Sequence, residues 1–145
     1  MEYLKLENQI CFPFYAISRL ITRAYQPYLE KLGITYPQYL VLLVLWEKDG
    51  LAVQDVSDKL ILNTNTVTPL LKRMEAMGLL KREKAKDDER KVLIYLTQEG
   101  KALQASVASV PLKLLENMGD MSVKLDELHG MRDKIQEWIA CMGNK

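Results

Sequence analysis

The chain has 145 residues, of which 48% are hydrophobic and 27% are charged, the ordinary balance of a single globular domain with a buried core. Its formal net charge is only +1, so any basic surface has to be local. The amino end is too polar for a signal peptide, and the longest apolar run, Tyr39–Trp46, is far shorter than the ~18 residues of a membrane helix. We therefore expect a cytoplasmic protein that does not contact a membrane.

Two long helices are predicted in the first third of the chain. The first covers Phe12–Lys31, with Pro13 in its first turn, where a missing N–H costs nothing. Its apolar residues spread too widely for one stripe, so we expect this helix to be buried on two sides. Thr35 caps the second helix, Tyr36–Lys48, whose apolar content predicts the most buried helix of the chain.

A pair of short helices follows. The first is Val53–Leu60, and the side-chain oxygens of Asn63, Thr64 and Asn65 suit the start of the second. The apolar face of the second has the spacing of a half-buried helix and consists of Val67, Leu70, Leu71 and Met74. Gly78 suits the left-handed position that ends such a helix.

Two strands are predicted directly after this helix pair. They are Leu80–Glu83 and Val92–Leu96, and the charged segment Lys86–Glu89 forms the turn between them. Helix, turn, helix and hairpin together predict a winged helix-turn-helix. That fold places its second helix in the major groove of DNA.

The outward side of the second short helix is rich in hydroxyl, amide and basic groups, which bond base edges and neutralise phosphates. The candidate DNA-binding residues of this helix are Thr64, Asn65, Thr66, Thr68, Pro69, Lys72 and Arg73. Between Asn63 and Val92 there are eight basic and five acidic residues, so this segment carries +3. A charge run is usually only a solvated face. Here, however, the caps, the apolar period, the glycine stop and the basic hairpin all favour double-stranded DNA as the partner.

The carboxyl end is predicted to be helical. Thr97 caps a helix that Pro111 should bend or interrupt, and beyond Gly119, Ser122 caps a last helix that runs to about Met142. The apolar residues of the last helix have mostly heptad spacing, typical of a helix packed along another helix, and are Met121, Leu125, Leu128, Met131, Ile135, Trp138 and Met142. Excess apolar surface on both end helices predicts a homodimer, with an intrachain helix pair as the alternative.

Cys11 is the candidate reactive residue. It lies near the start of the first helix, whose partial positive charge stabilises a thiolate, the form that reacts with peroxides; an inert packed cysteine is the alternative. Cys141 is 130 positions away, so a secreted disulfide framework is not indicated. The only histidine, His129, is on the last helix, and these three residues lack the spacing of zinc ligands. With no base indicated beside Cys11, we expect no catalytic residues, no enzyme activity, no metal and no cofactor.

Two segments, TVTPLLKRMEAMGLL and DDERKVLIYLT, resemble the signature of MarR-family bacterial repressors. The resemblance implies a mainly α fold with a small β-hairpin wing, in a dimer formed by the N- and C-terminal helices. It also implies one domain over residues 1–145, with 1–34 and 98–145 for dimerisation and 35–97 as the winged-helix lobe. Arg90 is then expected to reach the minor groove of a palindromic operator while Asp88 holds the turn. A turn salt bridge alone is the alternative for these two residues.

The segment LENQICFPFYAISRLITRAYQPYLEKLGITYPQYLVLLVLWE resembles the first third of the OhrR-type MarR proteins, which are organic hydroperoxide repressors. In these, one cysteine is oxidised, and tyrosines, two of them from the partner subunit, hydrogen-bond its sulfur. The matching residues here are Cys11, Tyr15, Tyr25 and Tyr36. A phenol O–H donated to a thiolate favours the charged form. Core filling is the alternative for Tyr25 and Tyr36.

The chain departs from that pattern at several positions. Pro13 replaces an apolar residue, and Asn63 and Asn65 stand where an acid and a glycine are usual. The two-cysteine members carry their second cysteine before the last helix, whereas Cys141 lies near the end of the chain. Cys141 is therefore a candidate resolving thiol, with a surface or packed bystander as the alternative.

These observations predict a transcriptional repressor. We expect the reduced dimer to bind its operator and to release it when an organic peroxide, acting as inducer, oxidises Cys11. One alternative is a MarR-type repressor released by a small aromatic ligand in the same cleft. A thiol peroxidase-like enzyme is the third hypothesis.

Overall fold

In the computed structural model, the described residues are 1–117 and 125–143. The chain divides into two compact units, Met1–Pro111 and Leu112–Lys145. After two short 3-10 turns, the described residues form α1 (Cys11–Glu30), α2 (Tyr36–Glu47), β1 (Leu51–Ala52), α3 (Val53–Leu60), α4 (Thr64–Ala76), β2 (Leu80–Lys84), β3 (Val92–Leu96), α5 (Gln98–Val107), α6 (Val110–Asn117) and α7 (Leu125–Gly143). The predicted class, mainly α with a small hairpin wing, is confirmed.

Helix α1 presents a long apolar surface to solvent. It starts at Cys11 and holds Pro13 in its first turn, as predicted, but Leu29 is its one buried residue. Its exposed large apolar residues are Phe12, Phe14, Tyr15, Ile17, Leu20 and Ile21. The expectation that α1 is buried on two sides is therefore wrong for a single protomer. Residue spacing shows that a helix face is apolar, but it does not show what covers that face.

Helix α2 is the centre of the core in the first unit. The Thr35 N–H donates to Oε1 of Gln38 at 2.8 Å, which fixes the start of the helix. The buried residues of α2 are Gln38, Tyr39, Val41, Leu42, Val44 and Leu45. Trp46 is half-buried, and its indole N–H donates to the Gly100 carbonyl at 2.9 Å. The predicted burial of this helix is confirmed, although Leu43 is 37% exposed.

The hairpin is part of a three-stranded antiparallel sheet with strand order β1-β3-β2. Ile94 of β3 faces Arg82 of β2 on one side and Leu51 of β1 on the other. The Asp49 carboxylate, just before β1, accepts the N–H of Leu96, the last residue of β3, at 2.8 Å. This bond holds the start of β1 against the end of β3. Strand β1 was not predicted, because two residues are too short to show an alternating pattern.

The expected interruption near Pro111 is confirmed. Helix α5 ends at Val107 and α6 begins at Val110. Pro111 has no N–H to donate to the carbonyl of Val107, so a continuous helix loses a bond at that point. Proline then fits the first turn of α6, where no donor is needed.

The second unit contains α7, the predicted last helix. Leu128 and Ile135 are half-buried, whereas Met131 and Met142 are 57% and 70% exposed. The heptad-like seam therefore stays a prediction about a partner helix. The predicted break at Gly119, the Ser122 cap and Met121 lie outside the described residues.

Candidate nucleic-acid interface and redox site

Helix α4 has a buried face and an exposed polar face. Asn63 caps it by accepting the Asn65 N–H through Oδ1 at 3.0 Å. Val67, Leu70, Leu71 and Met74 are buried, as predicted. The exposed candidate residues on the opposite face are Asn65, Thr66, Pro69, Lys72 and Arg73. At 100° per residue these lie within about one third of the helix circumference. The helix therefore offers one continuous polar and basic surface. The half-buried Thr64 and Thr68 lie along one edge of it.

Asp88 shapes the tip of the β2–β3 hairpin. Its Oδ1 accepts the Arg90 N–H at 3.0 Å, and its carbonyl accepts the Lys91 N–H at 2.9 Å. The Arg90 Nε lies 3.5 Å from the same carboxylate, but the Arg90 side chain is 94% exposed. An ion pair this open contributes little to stability. The turn ion pair is thus present, and it leaves the guanidinium available to a ligand.

A second ion pair joins the hairpin to α4. The Arg82 N–H donates to Oε1 of Glu75 at 2.9 Å, and Arg82 Nε donates to Oε2 at 2.8 Å. These bonds from Arg82 hold the pKa of Glu75 below its usual value, so their contribution to stability is lost as the pH falls through that lowered value. The sequence reasoning counted both residues only as charges. Because the pair is neutral, the local surplus of +3 comes from the other residues of the segment.

Three tyrosines cluster where α1 and α2 meet. The ring centroids of Tyr25 and Tyr36 are 5.0 Å apart, and those of Tyr25 and Tyr39 are 5.6 Å apart. Burial, followed by the neighbouring phenols of Tyr39 and Tyr36, raises the pKa of Tyr25 to about 12. Burial also raises the pKa of Tyr36. Both predicted phenols therefore stay protonated at neutral pH and can donate hydrogen bonds. Tyr39 was predicted only as a core residue.

The ionisation of this cluster gives a first prediction. Tyr25 is expected to ionise near pH 12 rather than near 10.0. Because the folded protein holds this proton more tightly than the unfolded chain, the resulting stability is complete below about pH 10 and is lost as the pH rises towards 12. Ultraviolet titration of phenolate should show a late component that Tyr25→Phe removes. Tyr36→Phe should keep that component at a slightly lower pH, since burial is the larger cause. Loss of the late component only in Tyr36→Phe would contradict the assignment.

Cys11 lies apart from the tyrosine cluster within one protomer. It is the first residue of α1, and its side chain is exposed. Tyr15 is one turn further along, 59% exposed, with the guanidinium carbon of Arg19 lying 5.5 Å from its ring centroid. Tyr25 lies 14 residues beyond Cys11 on the same helix, which is about 21 Å along the axis. The protomer thus brings Tyr25 and Tyr36 together but leaves Cys11 and Tyr15 at the other end of α1. Cys141, on α7, is also exposed.

A shallow cavity of about 210 Å³ adjoins the tyrosine cluster. Its lining residues are Thr22, Gln26, Leu29, Glu30, Ile34, Thr35, Tyr36 and Pro37. Within residues 1–117 and 125–143, no group of three or more histidine, cysteine or acidic side chains is placed to hold a metal ion. No helix in that part of the chain combines the length and apolar character needed to cross a membrane.

The polar face of α4, the capped helix pair and the hairpin define a winged helix-turn-helix protein. The transcriptional regulator SarA/Rot family matches residues 23–107. The organic hydroperoxide resistance transcriptional regulator of Bacillus subtilis strain 168 is 49% identical over 114 residues, which cover 79% of this chain and 78% of that protein. The HTH-type transcriptional regulator MgrA of Staphylococcus aureus is 35% identical over 131 residues, covering 90% and 89%.

Solved structures of transcriptional regulators also match this chain. The structure of reduced AbfR bound to DNA has a TM-score of 0.78 and 35% identity, covering 97% of this chain and 96% of that one. AbfR, from Staphylococcus epidermidis, is also described as overoxidized and bound to DNA, and in a disulfide form. The chain belongs to the MarR family of winged-helix transcriptional regulators, and to the type that includes organic hydroperoxide resistance regulators. These relatives are transcriptional regulators by name.

Proposed function

We propose that this protein is a dimeric, DNA-binding repressor that senses organic hydroperoxides by oxidation of Cys11. The observation that carries the proposal is the distance along α1 between Cys11 and the tyrosine cluster that α1 forms with α2. Tyr25, which forms a protonated phenol pair with Tyr36, lies about 21 Å from the exposed Cys11 along α1, and Tyr15 is only one turn from Cys11. Within one protomer this phenol pair cannot reach the sulfur. An antiparallel arrangement of two copies of α1 would bring each phenol pair to the Cys11 of the partner.

The exposed surface of α1 supports this dimer. Residues such as Phe12, Ile17 and Leu20 are 40–56% exposed, and contiguous apolar surface of this kind marks an interaction site. A two-fold axis through this surface relates the two copies of α4, so that they face two DNA half-sites roughly one helical turn apart. The DNA-bound structure of AbfR, which is 35% identical to this chain, supports DNA as the partner, and we assign α4 and the wing to its binding.

The sensing chemistry needs only the cysteine and the peroxide. The Cys11 thiolate attacks the terminal oxygen of the hydroperoxide, so that an S–O bond forms and the O–O bond breaks. The sulfur loses two electrons and becomes a sulfenic acid, and the peroxide leaves as an alcohol after taking up a proton. Phenol donors from Tyr25 and Tyr36 would stabilise the thiolate before this step. The added oxygen would then disturb the dimer interface and the spacing of the two α4 helices.

The test measures operator release by cumene hydroperoxide. An operator is selected from random duplexes by the reduced protein, and its affinity is measured before and after one equivalent of peroxide. We expect a loss of about tenfold or more for the wild type, and essentially no loss for Cys11→Ser. Cys141→Ser is the matched control and should respond like the wild type if Cys141 is a bystander. Equal release of Cys11→Ser and wild type would contradict the proposal.

Mixed dimers locate the phenols in the same assay. A Cys11→Ser protomer is co-expressed with a protomer in which Tyr25 and Tyr36 are both phenylalanine. If the site crosses the dimer, this heterodimer keeps one complete site and should be oxidised at a rate close to that of a wild-type site. If each site were built within one protomer, the heterodimer would contain no complete site and should react as slowly as the doubly substituted homodimer.

A second candidate function is release by a small aromatic ligand. The observation that favours it is the 210 Å³ cavity beside Tyr36, which has room for a single aromatic ring. Release of the operator by salicylate after alkylation of Cys11 would support this function. Steady turnover of peroxide with a thiol reductant would instead indicate a thiol enzyme, whereas a single stoichiometric oxidation would count against one.

A further inference from the structure

Gln38 joins the tyrosine-bearing turn of α2 to the end of α4. Its side chain is buried, at 6% exposure, and each end of the carboxamide is used. Oε1 accepts the Thr35 N–H at 2.8 Å, and Nε2 donates to the sulfur of Met77 at 3.3 Å. A thioether is a weak acceptor, so the bond holds the two helices together without locking them.

One end of this contact lies beside the tyrosine cluster, and the other end lies at the last turn of α4. On the α2 side, Gln38 shares its helical turn with Tyr36 and Tyr39, whose ring centroids are 6.1 Å apart. On the α4 side, Met77 is the residue that ends the helix, and its N–H donates to the Arg73 carbonyl at 3.0 Å. A shift of the Tyr36 turn therefore moves the donor that faces the end of the DNA-contacting helix.

The contact can be made or broken. Either the Gln38 amide is bonded to Met77, or a buried donor is left without that partner, which is unfavourable. Couplings between two sites in proteins commonly change affinity by about 5- to 150-fold, and one buried polar contact is sufficient for the lower part of that range.

We propose that the Gln38–Met77 contact transmits the change at the tyrosine cluster to the recognition helix α4. This inference rests on the proposed function, because it assigns the route by which oxidation of Cys11 alters DNA binding. In this proposal Gln38 and Met77 are positioning residues, which act through the tyrosine cluster and α4 and set how strongly the two sites are linked.

The test uses two variants, each of which removes one partner of the hydrogen bond and keeps a side chain of similar size. Met77→Leu keeps an apolar side chain and removes the acceptor. Gln38→Glu keeps the oxygen that accepts from Thr35 and removes the donor. Gln98→Glu, the same replacement at an exposed glutamine that starts α5, is the matched control. For each protein the operator affinity is measured before and after one equivalent of cumene hydroperoxide. Intact mass checks that one oxygen atom has been added, and peptide mapping places it on Cys11.

We expect the reduced variants to bind the operator within about threefold of the wild type, while the oxidative loss of affinity falls to about one fifth of its wild-type value or less. Gln98→Glu should keep the full loss. An unchanged oxidative loss in both variants would overturn the proposal, as would a collapse of reduced affinity with an unchanged oxidative ratio, which indicates a static role. Oxidation of Cys11 without release in the wild type itself would reject the proposed function, and this inference with it.

Discussion

Replacing Lys72 and Arg73 together by alanine is expected to weaken operator binding by roughly 10²- to 10³-fold without unfolding the protein. Both side chains are exposed on the face of α4 opposite its buried residues. Each would neutralise a backbone phosphate, so the dimer would lose four such contacts. Because the buried face of α4 is untouched, the free energy of unfolding should change by about 0.5 kcal/mol or less.

Salt dependence separates this explanation from a structural one. The slope of log affinity against log salt should become shallower by about 0.9 for each phosphate contact that is lost. Lys31→Ala removes an equally exposed positive charge at the end of α1 and serves as the control. If the double variant keeps the wild-type slope, or if Lys31→Ala weakens binding as much, then α4 does not carry the phosphate contacts.

Replacing Gly100 by alanine is expected to destabilise the fold by about 3 kcal/mol, the upper end for overpacking. A Cβ at this position would overlap the Leu79 carbonyl oxygen and would lie 3.1 Å from Cδ2 of Leu96. The Leu79 oxygen cannot move away easily, because it accepts the Thr97 N–H at 3.1 Å. The Gly100 carbonyl is itself held by the Trp46 indole. The clash is therefore with fixed backbone rather than with a flexible side chain.

Urea unfolding and thermal unfolding, each at one fixed protein concentration, measure this effect. Gly130→Ala is the control, since nothing lies within 4 Å of the Cβ it would add to α7, and alanine is the better helix former by about 0.5–1 kcal/mol. Gly100→Ala should lower the melting temperature by about 10 °C, whereas Gly130→Ala should leave it unchanged or raise it. Equal stability of the two variants would show that the start of α5 can move away from the sheet.

The helix boundaries were largely predictable from local signals. Asn63, Thr97 and Gly78 mark helix ends by side-chain oxygens or a positive φ, and all three act as expected. Apolar spacing also identified the buried face of α4, because it is a local signal too. Strand β1 was missed because its two residues are defined only by their pairing with β3. Long-range pairing of this kind leaves no trace in a short sequence window.

The contacts that organise the site were less predictable than its residues. Tyr25 and Tyr36 were proposed from a resemblance, but the participation of Tyr39 depends on how α1 packs against α2. The ion pair of Glu75 with Arg82 and the contact of Gln38 with Met77 each join different elements, so neither has a sequence signature. Cys11 is the opposite case. Its position is clear from the sequence, yet the environment proposed for it requires a second copy of the chain.

The hairpin is fixed at its base and open at its tip. Strand β3 pairs along both edges, and one bond beyond the ladder, from the Ala85 N–H to the Lys91 carbonyl at 2.9 Å, closes the base of the loop. Only residues 86–90 lie beyond that closure. Insertions or deletions during evolution can therefore be accommodated in this loop without shifting the register of the strands. If α4 and Arg90 bind DNA as proposed, related chains can in this way change how far the arginine extends along a duplex while they keep the same helix against the bases.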